Sequence, residues 1–148
     1  MAQDALVKKI KHSPRIAPGA GMSQIARHSI RVVKSSPVLF SDTTAVNLFE
    51  LPENVLVLGA DVRVTAVFDA SGTSAAATAT ITMPNDTGTV VLYDSNLTLL
   101  QATGFTSATA MELTSSTGGL VVLNYTAGTT TAGALEVYLR YVDYADEL

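Results

Sequence analysis

Asp61-Val62-Arg63-Val64-Thr65-Ala66-Val67-Phe68-Asp69 alternates, with Val62, Val64, Ala66 and Phe68 on one side and Asp61, Arg63, Thr65 and Val67 on the other. A period of two belongs to a β-strand with one face turned to a core. The stretch extends back to Asn54, and Gly59 inside it marks a bulge or bend, since an interior glycine weakens a regular strand. Ser71-Gly72-Thr73-Ser74 closes it with a turn.

The same period recurs on both sides. Ile30 and Val32 alternate with Ser29 and Arg31 until Pro37, and Val46, Leu48 and Glu50 lead to Pro52. Thr78, Thr80 and Thr82 alternate with Ala79, Ile81 and Met83, and Pro84-Asn85-Asp86-Thr87-Gly88 reads as a loop. Thr89–Tyr93, Ala108–Leu113 and Leu120–Thr126 follow, with residues 94–106 open to a strand or a short helical turn. The final run puts Leu135, Val137, Leu139 and Tyr141 against Glu136, Tyr138, Arg140 and Val142. After residue 28 no apolar 3.6-residue period is long enough for a helix of several turns. The expected fold is all-β: a jelly-roll-like sandwich of about eight or nine short strands, spanning 28–148 as one domain.

Residues 1–27 differ. Beyond a brief helical possibility at Ala5–Ile10, Pro14, Pro18, Gly19 and Gly21 break regular structure, which makes this segment an extended arm that orders on a partner. Charge divides at the same place. Residues 1–34 hold seven Lys and Arg against one acid, a balance of +6, whereas residues 35–148 hold two against twelve, a balance of −10. A basic arm on an acidic body fits a negative partner surface. Charged residues make up only 15% of the chain, against roughly 25% in an average soluble protein, so much of the surface is uncharged.

The chemistry of catalysis is thin. With no cysteine there is no disulfide, thiolate metal site or cysteine nucleophile. Of the two histidines, His12 lies in the arm and His28 at its junction with the body, and no Gly-x-Ser-x-Gly elbow exists. The loop at 84–88 lacks the spaced carboxylates of a calcium loop, and Gly19-Ala20-Gly21 lacks the Gly-Lys-Ser/Thr of a phosphate loop. Neither enzyme activity nor a metal or other cofactor is expected. The arm has no aromatic residue for base stacking, which argues against specific nucleic-acid binding. No apolar run approaches a membrane span and no signal peptide is read, so synthesis in a cytoplasm is expected. The sequons at Asn85, Asn96 and Asn124 are chance matches in a threonine-rich chain.

Three stretches carry a family resemblance: Phe49-Glu50-Leu51-Pro52-Glu53-Asn54-Val55, Val62 through Asp69, and Gly128-Thr129-Thr130-Thr131-Ala132-Gly133-Ala134-Leu135-Glu136-Val137-Tyr138. Over residues 45–142 the chain resembles the head decoration, or cement, proteins of tailed bacteriophages, nearest to those of long-tailed thermophilic phages. The resemblance implies a jelly-roll-like knob, homotrimers on the capsid exterior that stabilise the shell, assembly in the host cytoplasm, and arms that reach over neighbouring subunits. It carries no catalytic residue.

The resulting expectation is a virion structural protein whose partners are the major capsid protein and further copies of itself. Lys8, Lys9, Lys11, Arg15 and Arg27 are the candidate contacts to an acidic shell, with Ile10, Ile16 and Ile25 as apolar anchors. Tyr138, Arg140 and Val142 share the face opposite the apolar row of the last strand and are the candidate subunit interface. The rival expectation is a receptor- or carbohydrate-binding head or fibre module; the absence of Trp and a total of nine Phe and Tyr weigh against it.

Overall fold

The computed structural model describes residues 7–12, 29–42, 44–68, 78–95, 103–126 and 132–144. The described residues form ten strands and contain no helix. They are β1 (Lys8–Lys9), β2 (Arg31–Lys34), β3 (Val38–Leu39), β4 (Thr44–Leu51), β5 (Val55–Ala66), β6 (Thr78–Asn85), β7 (Gly88–Ser95), β8 (Gly104–Leu113), β9 (Gly119–Thr126) and β10 (Ala134–Asp143). One sheet runs β1-β4-β9-β6-β7; the other runs β2-β10-β5-β8, with β3 also on β10. Every pairing is antiparallel except β1 with β4. Among the described residues, of strands consecutive in sequence only β6 and β7 pair; β2 and β3 both lie on β10, and every other connection between consecutive strands crosses between the sheets, in the manner of a jelly-roll-like sandwich.

The core lies between the sheets, as two inner faces about 10 Å apart require. Leu135, Val137, Leu139 and Tyr141 of β10 all point into it, as their spacing predicts. They meet Val62 and Val64 of β5, and Ile81, Met83 and Leu123 lie in the same core.

Two strands change phase partway along. In β5 the buried set is Val55 and Val57 before Gly59 but Ala60, Val62 and Val64 after it. The ladder with β10 shifts at the same point, with Arg140 opposite Gly59 and Tyr141 opposite Val57. One extra residue in a strand turns the following side chains over, so the expected bulge at Gly59 is present. In β4 a register shift between Asn47 and Phe49 has the same result: Val46 and Leu48 are buried, and so are Phe49 and Leu51.

Several local expectations are corrected. Pro84 does not begin a loop: β6 runs through it to Asn85, and the reversal is the two residues Asp86 and Thr87. Asn85 Oδ1 accepts from the Thr87 amide at 2.9 Å and its hydroxyl at 2.8 Å, which holds the turn without help from proline. The short strand β2 does end ahead of Pro37, at Lys34, but a further strand follows at once, since Val38–Leu39 pairs again with β10. Ala66, read as part of the inner row, is exposed, while Phe68 is fully buried beyond the end of β5. Residues 96–102, the centre of the ambiguous stretch, lie outside the described residues.

Candidate interaction surfaces

The first surface is where the arm meets the body. Pro52 ends β4, and Asn54 reverses the chain into β5 at φ 58°, a left-handed conformation that asparagine tolerates. Along this corner the arm adds β1 beside β4, with Lys8 opposite Phe49 and Lys9 opposite Glu50. The Ile10 amide donates to the Glu50 carbonyl at 2.9 Å. Lys9 Nζ lies 3.7 Å from a Glu50 carboxylate oxygen. His12 Nδ1 is 2.7 Å from Asp143 Oδ1, and its Nε2 faces Glu53 at 3.6 Å. Asp143 is only 2% exposed, so a charged or hydrogen-bonding neighbour there offsets the cost of burying its carboxylate. An open groove of about 450 Å³ runs between residues 9–12 and 50–53, with Thr117 at its wall.

This geometry revises the reading of the arm. Ile10 was expected to face outward as an anchor; it is 7% exposed and belongs to the body's own core. Lys8, Lys9 and Lys11 remain exposed. Arg15, Ile16, Ile25 and Arg27 lie outside the described residues. His12, placed in the arm from sequence, is the side chain that reaches β10, a contact 131 residues apart in sequence that no local pattern signals. Burying one isoleucine stabilises by roughly 1.5–3 kcal/mol. Deleting residues 1–12 is therefore expected to lower stability by about that much while the β circular dichroism spectrum survives. Urea denaturation checks the first half and the spectrum the second.

The second surface is the outer face of the β2-β10-β5-β8 sheet. Register defines its rows: Glu136, Arg63 and Phe105; Lys34, Tyr138, Asp61 and Ser107; Val32, Arg140, Gly59 and Thr109; Val142, Leu56 and Leu113. Arg140 Nε donates to Asp61 Oδ2 at 3.1 Å and its Nη2 to the Ala108 carbonyl at 2.9 Å, while the Ser107 hydroxyl donates to Asp61 Oδ1. Glu136 accepts from the Tyr138 hydroxyl at 3.2 Å and lies 3.7 Å from Lys34 and 3.9 Å from Arg63. The Phe105 and Tyr138 rings are tilted at 5.6 Å between centroids.

Tyr138, Arg140 and Val142 thus do share one face, as expected, and Tyr138 and Arg140 are half-buried there while Val142 is covered. Their partners Asp61, Ser107 and Phe105 come from β5 and β8, which periodicity alone cannot align with β10. Ile30, Val32, Leu39, Phe105, Met111 and Leu113 are exposed large apolar side chains, and all belong to this sheet or its margin. Arg63 and Arg140, the two basic residues of 35–148, are also here. The opposite outer face is poor in charge and rich in hydroxyls: Thr80 donates to Asp94 at 3.5 Å and Asn124 to Thr82 at 3.3 Å.

The sandwich fold is shared with chains of solved phage capsids. A chain of the cyanophage Pam1 capsid asymmetric unit superposes with a TM-score of 0.56 at 21% identity, covering 88% of this chain and 94% of that one. A chain of the Ralstonia phage GP4 capsid gives 0.53 at 17% identity, covering 95% and 99%. A chain from the acidic stable capsid structure of Helicobacter pylori bacteriophage KHP30 gives 0.48 at 14% identity, covering 76% and 92%. No protein-family model matches the sequence, and no curated protein sequence matches it.

Proposed function

We propose that this chain is a non-catalytic structural protein of a phage virion that binds the outer surface of the shell as a decoration protein and stabilises it. The observation that carries this reading is the extent of the fold likeness to the Pam1 and GP4 capsid chains, which spans nearly the whole of both partners in each case. The basic arm supplies the contact: exposed Lys8 and Lys11 stand beside the body, with Arg15 and Arg27 further along the chain. The partner is the major capsid protein, and many weak contacts made together on one particle give avidity above any single one.

The test is binding to undecorated phage shells at low and high salt. Replacing Lys8, Lys9, Lys11 and Arg15 with alanine is expected to slow association and flatten its salt dependence, because steering between exposed charges fades as the Debye length falls to about 3 Å at 1 M. Failure of the intact protein to bind shells at either salt overturns the reading. The exposed Phe105 beside Tyr138 and Glu136 is the one feature that favours receptor or glycan binding instead. Clear hits on a glycan array would support that alternative.

A further inference from the structure

We infer that the outer face of the β2-β10-β5-β8 sheet is a self-complementary interface, and that its partner is a second copy of this chain packed face to face about a two-fold axis running between β5 and β10. The argument comes from register. Glu136 pairs with Arg63, Tyr138 with Asp61, and Val142 with Leu56 across the β10–β5 ladder. A two-fold axis in the plane of the face, parallel to the strands and midway between these two, lays β10 of one copy over β5 of the other. Each residue then lies over the copy of its own cross-strand mate. Arg63 faces Glu136 of the second copy, and Glu136 faces Arg63. A two-fold axis across the strands would instead set the apolar row of Val142, Leu56 and Leu113 over the charged row of Glu136 and Arg63.

Charge and composition select a second copy as the occupant. Residues 35–148 carry a balance of −10, so most of the body repels its own kind. On this face Lys34, Arg63 and Arg140 stand against Asp61 and Glu136, and the acid excess is absent. The charges are already paired with one another at 3.1–3.9 Å, so covering them strands none without a counter-charge. The apolar margins are open, with Val32 59%, Phe105 58% and Met111 67% exposed. Four strands about 4.8 Å apart and nine residues at about 3.4 Å make a face of roughly 500 Å² in plan. That is at the low end for a stable pair. Facing sheets related in this way pack in the aligned geometry of sandwich layers. The pairing gives dimers, and not the trimers that the family resemblance implies.

The test uses Arg63→Glu and Glu136→Arg, each analysed by sedimentation over a concentration series. The parent protein is expected to reach twice the 15.4 kDa chain mass. Each single variant sets like charges over each other twice per dimer and is expected to sediment as a monomer. Mixing the two variants restores opposite charges at both contacts, so the mixture is expected to regain the dimer mass. Within each chain the local pair stays like-charged, so a structural role inside one subunit would not produce this rescue. A parent that stays monomeric or forms only trimers, variants that remain dimeric, or a mixture that stays monomeric each overturns the proposal. Shell binding is read separately: bound shells without dimers defeat this inference alone, and dimers without shell binding defeat the capsid reading alone.

Discussion

Leu139→Ala is expected to lower stability by about 2–5 kcal/mol, the usual cost of truncating a buried leucine and leaving a cavity. Leu139 is 0% exposed in the middle of β10, between Val137 and Tyr141 on the inner face. Its strand lies between β2 and β5, so the backbone around it is paired on both sides and cannot collapse into the gap. For a domain of this size each kcal/mol shifts the melting temperature by about 2–4 °C. Urea titration of Leu139→Ala beside Val91→Ala checks the assignment, because Val91 is 53% exposed and its truncation should stay within about 0.5 kcal/mol. A Leu139→Ala loss as small as that of Val91→Ala would mean that β10 turns its other face inward.

Gly59→Ala carries a comparable cost by a different route. At φ +152° the position disfavours any side chain, and an added Cβ would stand 2.2 Å from the Ala108 carbonyl oxygen and 2.6 Å from Arg140 Nη2. Backbone strain of about 1–3 kcal/mol then adds to overpacking of about 1–3 kcal/mol. The loss is expected to be about 2–6 kcal/mol by urea titration. Gly88 separates the two terms: its φ is +145° but nothing lies within 4 Å of an added Cβ. Gly88→Ala should therefore show the strain alone, and the excess at Gly59 measures the collision. Equal losses at the two sites would remove the close approach of the Ala108 carbonyl and of Arg140 to Gly59 from the account.

Gly59 also shows how far residue pattern reaches. A lone glycine in an alternating strand is legible as a bulge, and the inner row of β10 is legible outright, because side-chain direction follows from a period of two. The bulge in β4 is not legible: Val46, Leu48, Phe49 and Leu51 are all apolar, and nothing local says which residue is the extra one. Pro84 misleads for a related reason. Proline is excluded from strand interiors only where its missing amide is needed, and that depends on which neighbour the strand acquires.

The division between arm and body shows the same limit. Composition separates a basic, Pro- and Gly-rich terminus from an acidic, alternating body without any coordinates. It does not reveal that Ile10 completes the core or that His12 meets Asp143, since the first contact joins the arm to a strand forty positions away and the second joins residues 131 positions apart. By itself the sequence determined the all-β class, the inner row of β10, the bulge at Gly59 and the charge asymmetry, all of which rest on residue type and nearest-neighbour spacing. Only the tertiary structure decided which strands are neighbours. That choice places Asp61 under Arg140 and sets Glu136 beside Arg63, because cross-strand register is fixed by packing over the whole sandwich and not by any one strand.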